Sequence, residues 1–355
     1  MDVGIQVIFS AFGSKASDSQ IYSEEIRLCL LAEELGYDVI WPVEHHFSDY
    51  SFCPDNTQFL SYLAGRTSTI DLGTAAVILP WNEPLRVAEK IAMLDEISAG
   101  RVRFGMGRGL SRREYEPFRG IEMDESRGRF DEAAPMILEA LETGFIEGSG
   151  QYYPQPRTEL RPRPTRSFKG RTYAVANSAD SIEIAARIGA RMIMFAERAW
   201  ESRMPSIEHY RELFQAENGS PAPPILTCDF IYCDEKSDRG EELATQYLGT
   251  YLASLLDHYE LMSEHFSDTE GYQGYGKNAE MLRAMGESGF LKGFMRANAY
   301  GTPDQILSRL ESRRKALGSF EQSTAFRFGG ISYEKAEKSM RLFAKEVLPV
   351  LKTWD

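Results

Sequence analysis

The chain contains little cysteine: its 355 residues include only Cys29, Cys53, Cys228 and Cys233. These four are scattered without Cys-x-x-Cys spacing, which argues against a structural zinc site and against a disulfide framework. Cys228 and Cys233 fall on one predicted strand, an odd number of positions apart, so they are expected to point to opposite faces. We therefore predict reduced, buried thiols, as in a cytoplasmic protein.

Long apolar runs and an excess of positive charge are also missing. No apolar stretch reaches the roughly 18 residues of a transmembrane helix, so no membrane span is predicted. The start Met1–Ile5 has neither a basic segment nor a following apolar one, so no secretion signal is expected. Lys and Arg total 40 against 53 Asp and Glu, a net charge of −13. This balance argues against a nucleic-acid partner, although a few local arginines can still hold a small anion.

Short β-rich runs alternate with helical patterns from one end of the chain to the other. The candidate strands are Val3–Phe9, Asp38–Val43, Ile70–Leu79, Val102–Met106, Thr172–Ala176, Met192–Phe195, Leu226–Tyr232 and Ala325–Phe328. Repeated strand–helix units with near-continuous apolar strands favour a parallel sheet covered by helices. Their number and the chain length favour an α/β fold of the (β/α)8 TIM barrel type over an open sheet. No linker-like change of composition occurs, so residues 1–355 are interpreted as a single domain.

Capping signals mark the starts of several helices. The candidate N-caps are Asn82, Ser178, Thr302 and Ser332. Each carries a side-chain oxygen that can accept a hydrogen bond from a free amide of the first helical turn. Thr302 and Gln305 additionally match a capping box.

Two segments interrupt the alternation. Residues 151–170 are rich in proline and arginine, and we interpret them as an excursion between the fourth and fifth units. Residues 258–300 form a longer segment in which glycines mix with aromatic residues. Because so long a loop in a compact fold is usually functional or mobile, it is predicted to be a lid inserted before the last strand. A partly helical surface insertion is the alternative.

Two adjacent histidines, His45 and His46, close the second predicted strand directly after Glu44. Since strand side chains alternate faces, one histidine can point into a central cavity while the other supports the loop. The chain has only five histidines, so a pair at a strand end suggests proton-transfer chemistry. A packed structural histidine is the alternative. Glu44 is a candidate orienting group for an imidazole, or a partner in a structural ion pair.

The ends of other strands predict a site for a flat, anionic ligand. Active groups of a TIM barrel come from the carboxyl ends of its strands. There, Ala75 and Ala76 are small enough for a flat ligand to lie against the backbone. The guanidinium of Arg108 can bind a phosphate. Ser178 and Ser181 flank a predicted helix N-terminus, where free amides and the helix dipole favour an anion.

The glycines around Arg108 do not form a dinucleotide-binding fingerprint. Gly105, Gly107 and Gly109 alternate with other residues, and Leu110 takes the next place, so the pattern is not Gly-x-Gly-x-x-Gly. It also lies in the fourth unit instead of opening the first, which argues against a Rossmann site. A tight turn that exposes a cation is the alternative to a phosphate site.

Together these segments resemble the bacterial luciferase-like flavin-dependent monooxygenases, in particular the luciferase α-type subunit. The similarity lies in Glu44–Phe47, Gly73–Pro80, Leu94–Phe104, Arg108–Leu110, Ala176–Gly189, Gly301–Pro303 and Leu342–Leu351. The resemblance implies a (β/α)8 barrel that binds reduced FMN, which a separate NAD(P)H:flavin reductase supplies. It also implies reaction with O2 through a flavin C4a-hydroperoxide to oxygenate a small organic substrate, in secondary metabolism or catabolism, and a homodimer.

The same resemblance assigns roles to individual residues. His45 matches the family's catalytic histidine and His46 its neighbour. The bond between Ala75 and Ala76 matches a non-proline cis peptide beneath the flavin ring. The residues that match the family's phosphate site are Arg108, Ser178 and Ser181.

Three departures from the luciferase pattern bear on the activity. Gly107 stands where luciferase has its reactive cysteine, Ser111 replaces a tyrosine, and Asn177 replaces a glutamate near the cofactor. The loss of the cysteine and the tyrosine argues against light emission and for a roomier pocket that takes a different substrate.

Other functions remain compatible with parts of the sequence. A deazaflavin (F420)-dependent oxidoreductase of the same superfamily would transfer hydride without oxygen, and a non-catalytic flavin-binding protein would keep only the cofactor site. A metal hydrolase using His45 and His46 is disfavoured, because neighbouring strand residues point apart and no His-x-His occurs, so no metal site is predicted. The residues do not select between hydroxylation and Baeyer–Villiger oxygenation.

Overall fold

The computed structural model describes residues 1–269, 272, 286 and 288–354. Its strands are β1 (Val3–Val7), β2 (Val39–Pro42), β3 (Asp71–Gly73), β4 (Val77–Ile78), β5 (Val102–Gly107), β6 (Phe145–Ser149), β7 (Pro154–Glu159), β8 (Thr172–Val175), β9 (Arg191–Phe195), β10 (Ile225–Phe230) and β11 (Phe320–Ala325). All except β6 and β7 belong to one parallel sheet, in which β3 and β4 together form the third of eight strands. The sheet closes because β11 pairs with β1. The predicted (β/α)8 barrel is confirmed.

Helices surround this barrel. They are α1 (Asp18–Glu34), α2 (Asn56–Ala64), α3 (Pro84–Ile97), α4 (Arg112–Tyr115), α5 (Ser126–Thr143), α6 (Ala179–Arg187), α7 (Met204–Asn218), α8 (Ser237–His258), α9 (His265–Asp268), α10 (288–297), α11 (Pro303–Leu317), α12 (Tyr333–Glu346) and α13 (Leu348–Leu351). The predicted caps Ser178, Thr302 and Ser332 are confirmed by side-chain hydrogen bonds to first-turn amides. Asn82 is not a cap, because α3 starts after Glu83 and the Asn82 amide donates elsewhere.

The third predicted strand is interrupted at its centre. Strands β3 and β4 flank a short irregular segment in which the Ala75–Ala76 peptide bond is cis. The neighbouring strand lies very close: a Cβ added at Gly105 would fall 2.0 Å from the carbonyl oxygen of Thr74. The Thr74 hydroxyl also donates to the Gly105 carbonyl and accepts from its amide, each at 2.8 Å. These contacts hold the irregular segment against β5.

The last strand was predicted at Ala325–Phe328 but forms at Phe320–Ala325. The prediction followed apolar residues, whereas this strand carries Gln322, whose side chain is fully buried. The side-chain oxygen Oε1 of Gln322 accepts hydrogen bonds from Thr227 at 3.1 Å and from Arg313 at 3.0 Å, so this buried polar atom is paired.

The end of β10 was also misplaced, because the strand ends at Phe230. Cys233 therefore lies beyond the strand that carries Cys228, and the two do not share one strand as predicted. All four cysteines are buried and free, which agrees with the predicted thiols.

The amino-terminal end of the barrel is filled. The Trp41 indole occupies the interior, and a Cβ on Gly73 would fall 2.2 Å from it, so the glycine makes room for the ring. Beneath it, Glu321 accepts from the Tyr173 hydroxyl at 2.9 Å and pairs with Arg103 and Arg191. Open space is therefore found at the carboxyl-terminal end of the strands.

The first of the two segments that interrupt the alternation forms part of a hairpin outside the barrel sheet. Residues 151–170 include β7, which pairs antiparallel with β6 in a hairpin between α5 and β8. The predicted lid, residues 258–300, falls partly outside the described residues, so it stays a prediction. Among the helices of the described residues, none is long and apolar enough to cross a membrane.

Candidate active site

A cavity of about 290 Å³ lies at the carboxyl-terminal end of the barrel. The residues predicted for the site that line it are Glu44, His45, Ala75, Ala76, Gly107, Arg108, Asn177, Ser178 and Ser181. They come from the ends of four different strands or the segments after them, so the closure of the barrel brings them together. His46 is the predicted site residue that does not line the cavity.

His45 is held by a buried carboxylate that the sequence analysis did not identify. Glu114 of α4 accepts a hydrogen bond from His45 Nδ1 at 2.9 Å and another from the His46 backbone amide at 2.8 Å. Because an ionised carboxylate can only accept, the proton of His45 lies on Nδ1, and Nε2 is left as the nitrogen that exchanges protons. The Tyr259 hydroxyl lies 3.4 Å from this Nε2.

The charge state of Glu114 follows from its neighbours. Burial alone would raise the pKa of the Glu114 carboxyl, but the neighbouring imidazoles of His45 and His258 hold this pKa well below its usual value. The carboxylate is therefore ionised at neutral pH although it is only 2% exposed. Burial lowers the pKa of His258, an effect that Glu114 partly opposes.

Aromatic side chains surround the His45 imidazole. The Tyr50 ring stacks on His258 with 4.4 Å between centroids and meets His45 edge-on at 5.1 Å. The hydroxyl groups of Tyr50 and Tyr251 lie 2.7 Å apart. Burial raises the pKa of Tyr50, Tyr251 and Tyr259 well above the usual range, so these phenols stay neutral. Neutral aromatic rings therefore form much of the surroundings of the imidazole.

Glu44 and His46 serve the loop after β4. Glu44 accepts from the Ile78 amide at 3.1 Å, the Trp81 indole at 2.6 Å and the Asn82 side chain at 3.0 Å. The His46 ring packs edge-on against Trp81, and its Nε2 lies 3.6 Å from Glu44 Oε1. The two histidines therefore point in different directions, but strand alternation is not the cause, because β2 ends at Pro42 and both lie in the loop after it.

One wall of the cavity is flat. The small residues Ala75, Ala76 and Gly107 line this wall. Ile78 and Ala76 pack closely on Gly107, because an added Cβ there would fall 2.8 Å from Ile78 Cδ1 and 3.3 Å from Ala76 Cβ. The Asn56 side-chain amide donates to the Ala76 carbonyl at 3.0 Å and so holds the peptide that follows the cis bond. A planar ring system fits against such a surface.

A second region of the cavity is cationic. Ser178 caps α6 and forms a capping box with Ser181, whose hydroxyl accepts from the Ser178 amide at 2.9 Å. The Asn177 side-chain oxygen accepts a hydrogen bond from the Arg203 guanidinium at 3.1 Å, and Arg203 is only 1% exposed. The Arg108 guanidinium lies over the Tyr272 ring, 4.1 Å from its centroid. Arginine and a helix N-terminus are both favourable neighbours for a phosphate.

Sequence reasoning missed Glu114, His258, Tyr259 and Arg203. His258 carried a signal, because it is one of only five histidines and opens the segment interpreted as a lid. Glu114 lies 69 residues from its partner His45, so no local pattern marks it. Ser111, which departs from the luciferase pattern, donates to the His258 carbonyl at 3.1 Å and ties the end of α8 to α4.

The fold and the site define a class of protein: a (β/α)8 barrel with an imidazole and a cationic anchor in one cavity at the carboxyl ends of its strands. The family model for luciferase-like monooxygenases matches residues 1–319. The chain therefore belongs to the luciferase-like monooxygenase family, and the resemblance inferred from its motifs is confirmed.

Two curated relatives are similar over nearly the whole chain. The alkanal monooxygenase alpha chain of Photorhabdus luminescens is 28% identical over 344 residues, covering 95% of this chain and 93% of that protein. The oxygenase component of the flavin-dependent trigonelline monooxygenase of Acinetobacter baylyi is 24% identical over 341 residues, covering 94% and 91%. Both relatives are monooxygenases by name.

Solved structures of the same fold include a monooxygenase and an F420-dependent reductase. The monooxygenase RslO1 from Streptomyces bottropensis is 28% identical with a TM-score of 0.79, covering 99% of this chain and 100% of that one. The F420-dependent tetrahydromethanopterin reductase from Methanopyrus kandleri is 20% identical with a TM-score of 0.68, covering 98% and 99%. The latter likeness concerns the fold alone, so the fold does not select the cofactor.

Proposed function

We propose that the protein is the oxygenase component of a two-component monooxygenase that uses reduced FMN and O2 to oxygenate a small organic substrate. The observation that carries the proposal is the single cavity that contains His45, the flat wall at Gly107 and the cationic end at Arg108. These three features match the three parts of an FMN-dependent reaction: proton transfer, a planar ring and a phosphate.

The residues present fit FMN. Arg108 and the N-terminus of α6 would hold the phosphate, with Ser178 and Ser181 shaping that end of the helix. Ala75, Ala76 and Gly107 would lie against the ring. When bound, the reduced flavin provides the electrons that activate O2. The protein positions this group and shields it from water.

His45 is the group suited to proton transfer. Glu114 fixes the tautomer and orientation of the imidazole through Nδ1, so Nε2 faces the cavity in a defined state. Tyr50 and Tyr259 place neutral aromatic rings against the imidazole, and the Tyr50 hydroxyl pairs with that of Tyr251. Glu44 and His46 hold β4 and the loop after it, which lie directly beyond the cis peptide in the chain.

A separate NAD(P)H:flavin reductase is the proposed partner. The proposal is supported by the name of the Acinetobacter baylyi relative, which describes an oxygenase component. None of the described residues forms a dinucleotide-binding fingerprint around Arg108, so the chain is expected to receive flavin that has been reduced elsewhere.

The second candidate is hydride transfer with F420, which the similarity to the Methanopyrus kandleri reductase fold favours. The two candidates are separated by anaerobic titration with reduced FMN and with F420, followed by oxygen uptake. We expect reduced FMN to bind more tightly and O2 to be consumed. Tighter binding of F420 without oxygen uptake would exclude the oxygenase.

Two variants test the assigned roles within the same assay. Arg108→Ala should weaken FMN binding at least about tenfold, since a charged phosphate contact contributes over 1 kcal/mol. Arg66→Ala, at an exposed position just after α2, is the control. His45→Ala should retain FMN binding and change the rate at which bound flavin is reoxidised, followed by stopped-flow absorbance. It should also lose most product once a substrate has been found by screening carbonyl and aromatic compounds. Normal reoxidation and turnover would remove His45 from the mechanism.

A further inference from the structure

Three potential metal ligands converge behind the cavity wall: His45, Glu114 and His258. Glu114 Oε1 lies 2.9 Å from His45 Nδ1 and 3.6 Å from His258 Nε2, and the three donor atoms all lie within 4.8 Å of one another. Ligands of a tetrahedral ion with bonds of about 2.0–2.1 Å stand about 3.3 Å apart. Two of the observed spacings bracket this distance, so small side-chain movements would close the set around an ion.

A second observation points to a ligand. His258 is only 1% exposed, and its buried Nε2 has no hydrogen-bond partner among the described residues. Its other nitrogen, Nδ1, lies 3.0 Å from the Ser48 hydroxyl. If Nδ1 donates to Ser48, Nε2 presents a lone pair to the Glu114 carboxylate. Two electron-rich atoms that face each other in a buried site are satisfied by a cation between them.

The outer contacts also fit a metal site. Ser48 fixes the His258 ring, and the His46 backbone amide donates to the Glu114 carboxylate. In metal centres, hydrogen bonds of this kind orient the side chains that bind the ion. His45 and Glu114 line the cavity, which gives an ion a path of entry and leaves room for water as a further ligand.

The geometry points to a binding site for a divalent transition-metal ion, of which Zn²⁺ is the representative, formed by His45, Glu114 and His258. Two imidazoles and one carboxylate suit Zn²⁺, Co²⁺ or Fe²⁺ and not Mg²⁺ or Ca²⁺.

The ion would replace the proton on His45 Nδ1, and Glu114 would then bind the ion instead of orienting the imidazole. Metal binding is therefore expected to inhibit the enzyme reversibly. The binding claim is independent of the proposed function, and only the inhibition rests on it.

The sequence analysis predicted no metal site because it considered only His45 and His46. The structure agrees that these two do not chelate together, since His46 packs against Trp81. The candidate ligands instead come from β2, α4 and α8, which no local spacing connects.

Cobalt is the probe, because four-coordinate Co²⁺ absorbs visible light with high intensity. The flavin-free full-length protein is titrated with Co²⁺ and then with Zn²⁺ as competitor. We expect one equivalent of Co²⁺ to bind with visible bands that Zn²⁺ removes. Loss of an outer-shell partner alone costs about 10–100-fold in affinity, so His258→Gln and Glu114→Gln should each weaken binding by at least this much.

His209→Gln is the matched control, because it removes an exposed histidine of α7 and should leave the titration unchanged. Circular dichroism establishes that each variant is folded. Absence of visible bands in the wild-type chain would overturn the inference, and so would unchanged affinity in both ligand variants. Cobalt binding by a protein that fails to bind FMN would overturn the proposed function and leave the metal site standing.

Discussion

At the scale of single residues, Glu114 links the candidate catalytic groups. Its carboxylate accepts from the His45 ring and from the His46 backbone, and it faces the ring of His258. A buried carboxylate with these donors is ionised, and it fixes which nitrogen of His45 carries the proton. Orientation of the imidazole therefore depends on a side chain that need not touch the substrate.

Replacement of Glu114 by glutamine should separate orientation from cofactor binding. The amide keeps the size and can still accept from the His46 backbone, but it loses the charge that holds His45. We expect FMN affinity to stay within about twofold while flavin reoxidation, or turnover with a substrate, changes about tenfold or more. Stopped-flow absorbance measures both. Glu116→Gln, exposed on the same short helix segment, is the control. Equal kinetics in both variants would show that Glu114 does not position His45.

At the scale of elements, the N-terminus of α6 is the anchor proposed for the phosphate. Its Ser178–Ser181 capping box orders the first turn, and the turn borders the cavity. A well-formed first turn aims its amides along the helix axis, where the dipole favours an anion. The same serine thus contributes to helix stability and to the shape of the binding site.

Ser178→Ala tests this double role against a matched cap. Loss of the cap should lower the free energy of unfolding by about 1 kcal/mol, and Ser332→Ala at the start of α12 should cost a similar amount. Only Ser178→Ala should also weaken FMN binding, because Ser332 does not line the cavity. Thermal unfolding and FMN titration measure the two effects. A similar loss of FMN affinity in both variants would show that general destabilisation, not the anchor, is responsible.

Sequence patterns predicted the elements that obey local rules. Apolar runs found most barrel strands, and side-chain oxygens located the caps Ser178, Thr302 and Ser332. The patterns failed where distant residues decide the outcome. Strand β11 is polar because Arg313 and Thr227 satisfy Gln322 inside the barrel. The partners of His45 were missed because Glu114 and Tyr259 reach it only after the barrel closes.

At the scale of the whole molecule, the first and last units of the barrel meet around a buried carboxyl group. Glu25 of α1 is 3% exposed and accepts from the Tyr333 hydroxyl of α12 at 3.1 Å. Burial raises the pKa of Glu25 from 4.5 to about 7, against opposing effects of Arg327 and the Tyr333 hydrogen bond. The folded protein therefore favours protonated Glu25 at this junction.

This shift fixes the sign of a pH effect on stability. A group whose pKa is raised by folding stabilises the native state fully below its unfolded pKa of 4.5, and this contribution is lost as pH rises through about 7. Glutamine mimics the protonated form at every pH. Glu25→Gln should therefore match the wild type near pH 4.5 and exceed its free energy of unfolding at pH 8 by about 1–3 kcal/mol. Urea unfolding at both values measures the difference, with Glu24→Gln at the surface pair with Arg27 as the control. Glu25 joins α1 to α12. If the free energy of unfolding of Glu25→Gln depends on pH as that of the wild type does, the Glu25 carboxyl is ionised at this junction and closure of the barrel tolerates its charge.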